Sequence, residues 1–193
     1  MSEPTAPLTR EKILEAFELL SARLGENGIR GEICIIGGAC MVLAFNARAT
    51  TKDVDTIATP PGEVLRQAFR IGQELNLPDG WLNNAARLFI SKKNHEVRDF
   101  NVQYPHLHLL VPTAPYMLAM KCLAARIGAV DDRSDIKFLI KHLDLKSLEE
   151  VKGVIENYYP PEHIKERAHE IIEAVLSDLE NEHGTQKEGF NGR

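Results

Sequence analysis

At 193 residues, with 44% hydrophobic and 26% charged side chains, the chain suits one globular domain, or one domain with a small appendage. No apolar run reaches the ~18 residues of a membrane span, and Met1-Ser2-Glu3-Pro4-Thr5 lacks the basic and apolar regions of a secretory signal, so a cytoplasmic protein is expected. The net charge of −5 is uneven: residues 147–180 carry −6, the remainder is near +1, and Arg87, Lys92, Lys93 and Arg98 form a mild basic cluster compatible with an RNA-facing surface.

Thr9 is placed to cap a first helix in which Ile13, Ala16, Phe17, Leu20 and Leu24 recur at helical spacing. The loop 25–31, with Asn27-Gly28, ends it. Glu32 to Ile36 reads as a short apolar strand, and Ala39 to Asn46 as a buried helix. A second strand is expected over about Lys52 to Ala58, stopped by Pro60-Pro61-Gly62, with an amphipathic helix over Glu63 to Leu75. Trp81-Leu82-Asn83-Asn84 precedes a strand-like Leu88-Phe89-Ile90, and a strand pair is expected near Val97 to Val102 and Leu107 to Val111. Thr113-Ala114-Pro115 starts a helix to about Ile127. The next helix, capped by Asp131 or Asp132, carries Ile136, Leu139, Ile140 and Leu143 on one face. Helices over about Leu148 to Tyr158 and Pro161 to Leu179 follow. The expected organisation is a small mixed sheet domain over 1–112, a helical region over 113–180 packed on it, and a disordered polar tail over 181–193.

The chemistry concentrates at Gly37-Gly38 and Asp53-Val54-Asp55. Side chains alternate along a strand, so Asp53 and Asp55 point to one side, where two carboxylates repel unless a cation or proton lies between them. Hard oxygen donors favour Mg²⁺, which uses one or two carboxylates plus substrate phosphates. Glycines ending the neighbouring strand let backbone amides approach a phosphate, and the helix after them aims its N-terminus there. Arg48 can contact a phosphate, and Thr51 can hydrogen-bond a carboxylate or a phosphate oxygen.

Further along, Lys121 lies among Met117, Leu118, Ala124 and Ala125, an apolar face where an ammonium needs a partner; a triphosphate or a catalytic carboxylate supplies one. Asp132 reads as an N-cap. Asp135, one turn before Leu139, faces inward, where Lys121 or Arg126 can pair with it. His106 and His108 share one strand face without a third metal ligand and read as surface histidines. Cys34, Cys40 and Cys122 lack metal-site spacing and read as reduced, buried thiols.

Together, Ile35-Ile36-Gly37-Gly38-Ala39, Arg48, Thr51-x-Asp53-x-Asp55, Met120-Lys121-x-Leu123-Ala124-x-Arg126 and Asp132-x-x-Asp135-Ile136 resemble the polymerase-β-type nucleotidyltransferase superfamily. Within it, the chain looks most like the small bacterial and archaeal nucleotidyltransferase-like proteins related to AbiEii/MenT-type toxins. The resemblance spans about residues 30–145, and Trp81-Leu82-Asn83-Asn84 is similar to a segment of uncharacterised members. It implies an α+β polymerase-β-like fold and a transferase that uses an NTP with Mg²⁺ or Mn²⁺. Gly37, Gly38, Arg48, Thr51 and Lys121 would bind the NTP. Asp53 and Asp55 would bind the metal, and Asp53, Asp55, Lys121 and Asp135 would be catalytic. Family toxins modify tRNA ends or protein side chains, implying an RNA or protein acceptor and an antitoxin partner.

One departure is visible. Many polymerase-β-type enzymes place a third carboxylate on a later strand, where this chain has His106-Leu107-His108, with Asp99 as a poor substitute. A non-catalytic nucleotide-binding or regulatory protein is therefore the competing reading, and nucleotidyl transfer to a small molecule is a third.

Overall fold

Three largely apolar central strands, with amphipathic helices between them, produce a mixed α+β architecture around a small mixed sheet. The computed structural model describes residues 6–126 and 128–188, with side chains described to residue 182. The chain divides into two compact units, Met1–Ile90 with Glu96–Thr113, and Ser91–His95 with Ala114–Arg193.

In the first unit, β1 (Leu8–Thr9) leads into α1 (Arg10–Glu26), whose N-cap Thr9 accepts a hydrogen bond from the Lys12 amide at 3.3 Å. Ile13, Ala16, Phe17, Leu20 and Leu24 of α1 are all buried, as their spacing predicts. Then follow β2 (Gly31–Ile36), α2 (Gly37–Leu43), β3 (Thr50–Thr51), β4 (Val54–Thr59), α3 (Pro61–Glu74), β5 (Leu82–Asn83), β6 (Val97–Asp99) and β7 (Leu107–Pro112). The sheet order is β5-β4-β2-β7-β6, while β1 and β3 form a separate antiparallel pair. Central β2 runs antiparallel to β4 and parallel to β7. β4 pairs in parallel with β5, and β6 antiparallel with β7.

The two sheet faces differ. Ile33, Ile35, Val54, Thr56, Leu107, Leu109 and Val111 are buried on one, which α1 and α3 cover. Gly31 marks how closely they pack, because a Cβ there would meet Leu24, Val64 and Leu107. Each isoleucine or leucine so buried contributes about 1.5–3 kcal/mol. The other face carries Glu32, Cys34 and Ile36 of β2, Asp55 and Ile57 of β4, and His108 and Leu110 of β7.

One expected strand is absent. The stretch Leu88-Phe89-Ile90 is not a strand: Ala85–Phe89 forms a 3-10 turn, begun by Asn83 Oδ1 accepting from the Ala85 amide at 2.8 Å. Three apolar residues without a neighbouring strand do not make a ladder, and Leu88 is 90% exposed. The strand lies earlier, at Leu82–Asn83, too short to leave a period-2 signal.

The second unit contains α4 (Ala114–Ala124), α5 (Val130–His142), α6 (Leu148–Glu156), a 3-10 turn at Pro161–His163 and α7 (Glu166–Glu188). Met117, Leu118, Ile136, Leu139, Ile140, Val151, Ile155, Ile172 and Val175 are buried in it. The segment Ser91–His95 joins this unit through Tyr116, whose hydroxyl accepts from the Ser91 amide at 3.0 Å, and through Lys93, which donates to the Glu156 carbonyl at 2.8 Å. The N-cap of α5 is Ala129, not Asp131 or Asp132; Asp132 lies within the first turn and accepts from the Arg126 backbone amide and guanidinium, each at 3.2 Å. Ile127, the expected end of α4, lies outside the described residues. Of the expected tail, residues 181–188 continue α7 as helix, and 189–193 lie outside the described residues. Among the described residues, no helix is long and apolar enough to cross a membrane.

Candidate functional site

The antiparallel register of β2 and β4 sets Ile36 directly opposite Asp55, so the strand that runs into Gly37-Gly38 delivers those glycines to the carboxylate. Gly37 adopts φ +63°, a conformation that costs an L residue about 1–2 kcal/mol. It also has no room for a side chain: a Cβ there would lie 2.5 Å from Asp55 Oδ2. At Gly38 a Cβ would run into the Arg48 guanidinium and the Thr51 hydroxyl. Both glycines are therefore required by close approach. α2 begins at once, with Ile36 as an N-cap that has no side-chain hydrogen bond to the first turn.

Asp53 lies just before β4, and Asp55 within it; both are half-buried and flank the buried Val54. Thr51 donates its hydroxyl to the backbone carbonyl of Asp53 at 3.1 Å. Its hydroxyl thus holds the chain entering β4. The backbone of Val54 donates to the Trp81 carbonyl at 2.6 Å, continuing the parallel β4–β5 pairing in which Asp55 faces Asn83. Trp81 is buried, and its indole Nε1 donates to the Ala68 carbonyl of α3 at 2.8 Å. The structure thus gathers Gly37, Gly38, Arg48, Thr51, Asp53 and Asp55 at one end of the sheet. Asn83 belongs with them, a residue that the sequence reading left without a role. Its only sequence signal was a pair of asparagines closing a short apolar stretch, a turn signature.

No third carboxylate joins them along β7. The register pairs Glu32 with His108 and Cys34 with Leu110, so His108 and Leu110 occupy the site-bearing face of that strand. Asp99 lies opposite Leu110 on β6, beyond β7. Its carboxylate meets His108 Nε2 at 2.9 Å, while Glu32 meets His108 Nδ1 at 3.0 Å. The Glu32 bond, then the Asp99 bond, raise the His108 pKa above its ordinary value. Cys34, on the same face, is buried, and desolvation followed by the Glu32 charge pushes its thiol up to about 12, so it is neutral. Among the described residues, no group of three or more His, Cys, Asp or Glu is arranged to hold a metal ion.

Lys121 and Asp135 belong to the second unit. Lys121 Nζ lies 2.6 Å from Asp135 Oδ2 and 4.0 Å from Asp132 Oδ1, joining α4 to α5. Both partners are nearly excluded from solvent, at 8% and 2% exposure, as an inward-facing ammonium and carboxylate require. In comparison with known proteins, the chain matches no family model, no curated protein and no solved structure.

Proposed function

We propose that the first unit has a polymerase-β-like nucleotidyltransferase fold and binds an NTP with Mg²⁺ or Mn²⁺ for nucleotidyl transfer. The observation that carries this is the fit of Gly37 against Asp55, with Gly38 against Arg48 and Thr51. Side-chain-free backbone, a guanidinium and half-buried carboxylates converge there, and that donor set suits a phosphate chain and a hard divalent ion. Two carboxylates are enough, because Mg²⁺ takes its remaining ligands from phosphates and water.

Asp53 and Asp55 would hold the metal, which when bound supplies charge neutralisation of the triphosphate and alignment of the attacking oxygen. The chain's own residues do the rest. Gly37 and Gly38 leave the backbone uncovered for the triphosphate. Arg48, beside Gly38, offers a charged donor to phosphate oxygens. In the transfer, an acceptor hydroxyl oxygen bonds to the α-phosphorus, its proton passes to solvent water, the bond to the bridging oxygen breaks, and pyrophosphate leaves. The mild basic cluster favours an RNA or protein acceptor over a small molecule, and an antitoxin-like partner belongs to the same reading.

A second reading has a specific observation behind it. With His108 and Leu110 on β7 where related enzymes place a carboxylate, the unit would bind nucleotide without transferring it. Incubation with each labelled NTP, Mg²⁺ and total RNA or lysate separates the two. Label is expected in a macromolecule with wild type and is expected to disappear in Asp53→Ala and Asp55→Ala, both still folded by circular dichroism. Labelling that survives either change removes the catalytic reading. Nucleotide binding without labelling establishes the regulatory one, and no binding at all ends both.

A further inference from the structure

Asp53 needs help that its position does not provide. It precedes β4, so its backbone is held by the Thr51 hydroxyl and its side chain depends on neighbours. Asn83 supplies one. Its amide Nδ2 donates to Asp53 Oδ2 at 3.4 Å, a long bond, and three further contacts fix the donor. Asn83 lies in register with Asp55 in the parallel pairing of β4 and β5. Its backbone carbonyl accepts from the Thr56 hydroxyl at 3.1 Å, and Thr56 is fully buried. Its Oδ1 accepts from the Ala85 amide at 2.8 Å. That last bond settles the orientation of the side-chain amide: the oxygen faces a backbone N–H, so the NH₂ faces the carboxylate.

We infer that Asn83 is a positioning residue for the Asp53–Asp55 pair, lying in register with Asp55 on the neighbouring strand and donating to the Asp53 carboxylate. This rests on the metal-binding reading of that pair. The physical basis is that a carboxylate meant to ligate an ion is held in one rotamer by an outer donor, and loss of such a donor typically weakens metal affinity by about 10–100-fold. Because the bond is long, the effect belongs at the lower end, about 10-fold.

The test uses the full chain and Mn²⁺ alone, followed by loss of the free-ion electron paramagnetic resonance signal. Wild type is expected to bind Mn²⁺, and Asp53→Asn, which keeps an oxygen at that position, to bind it more weakly. Asn83→Ala and Asn83→Leu are both expected to weaken binding about 10-fold. Asn83→Leu keeps the size of the side chain without a donor or a new charge, so it carries the test if the alanine variant does not fold, as judged by thermal unfolding. In the Asp53→Asn background, Asn83→Ala is expected to have no further effect, because its action passes through Asp53. Unchanged or tighter binding in the Asn83 variants overturns the inference and leaves the metal site standing. So does an undiminished Asn83→Ala effect in the Asp53→Asn background. If wild type binds no Mn²⁺, the metal reading fails, and the inference with it.

Discussion

Gly37 and Gly38 do different work although they are adjacent. Gly37 combines a left-handed backbone with contact against Asp55, so any side chain there is strained twice; Gly38 needs only the empty space that Arg48 and Thr51 fill. A Gly-Gly after an apolar run was legible as a strand end, but which glycine touched which partner was not, because that depends on the β2–β4 register. The histidines illustrate the same limit. His108 read as a surface histidine, and it is 53% exposed, yet it bridges Glu32 and Asp99 from two neighbouring strands. With carboxylates at both ring nitrogens, the charged ring donates to both, and its folded pKa is raised. A raised folded pKa means that its stabilising effect is complete below the unfolded value of about 6.5 and is lost as pH rises through the folded value. Exposure keeps the effect small. The difference in urea midpoint between wild type and His108→Gln is therefore expected to be largest near pH 6 and to shrink as pH rises above it. A difference that stays constant as pH rises refutes the ion-pair account.

At the scale of elements, α4 and α5 are joined by a buried ion pair as well as by apolar contacts, and the pair was legible because an ammonium among methionine, leucine and alanine has to find a carboxylate. Lys121 and Asp135 meet at 2.6 Å. Removing either partner alone leaves an uncompensated buried charge, so Lys121→Met and Asp135→Leu are each expected to cost about 3–5 kcal/mol in urea unfolding. The double variant is expected to lose less than the sum, because no charge is left unpaired. Strictly additive losses would mean that the two side chains do not act on each other. Elements with long amphipathic periods, as in α1, and the six-residue strands β2 and β7 were legible, while the two-residue strands were not. β1, β3 and β5 have two residues each, below any period, and exist only because a partner strand completes their hydrogen bonds. The cap of α5 was misread for a related reason: Asp132 is the kind of residue that caps, but Arg126 already engages its carboxylate.

For the molecule as a whole, the glycines, Arg48, Thr51 and the aspartates belong to the first unit and the Lys121–Asp135 pair to the second. A ligand that binds only the folded first unit raises its stability by RT ln(1 + [L]/Kd), about 2.7 kcal/mol at a hundredfold excess over Kd. For a chain of this size that corresponds to a Tm rise of about 5–10 °C. Mg²⁺ with the preferred NTP is expected to produce this rise in wild type and not in Asp53→Ala. An equal rise in both would place the nucleotide away from the aspartates. The sequence by itself determined the mixed α+β class, the buried faces of the long helices, the strand-ending glycines and the carboxylate pair, because periodicity and residue chemistry are local properties. Only the tertiary structure decided that Asp55 lies against Gly37, that Asn83 reaches Asp53, and that His108 and Leu110 occupy the β7 positions. The reason is physical. Strand register and crossover pairing join residues tens of positions apart, and a shift of one residue would turn each of these side chains to the opposite face.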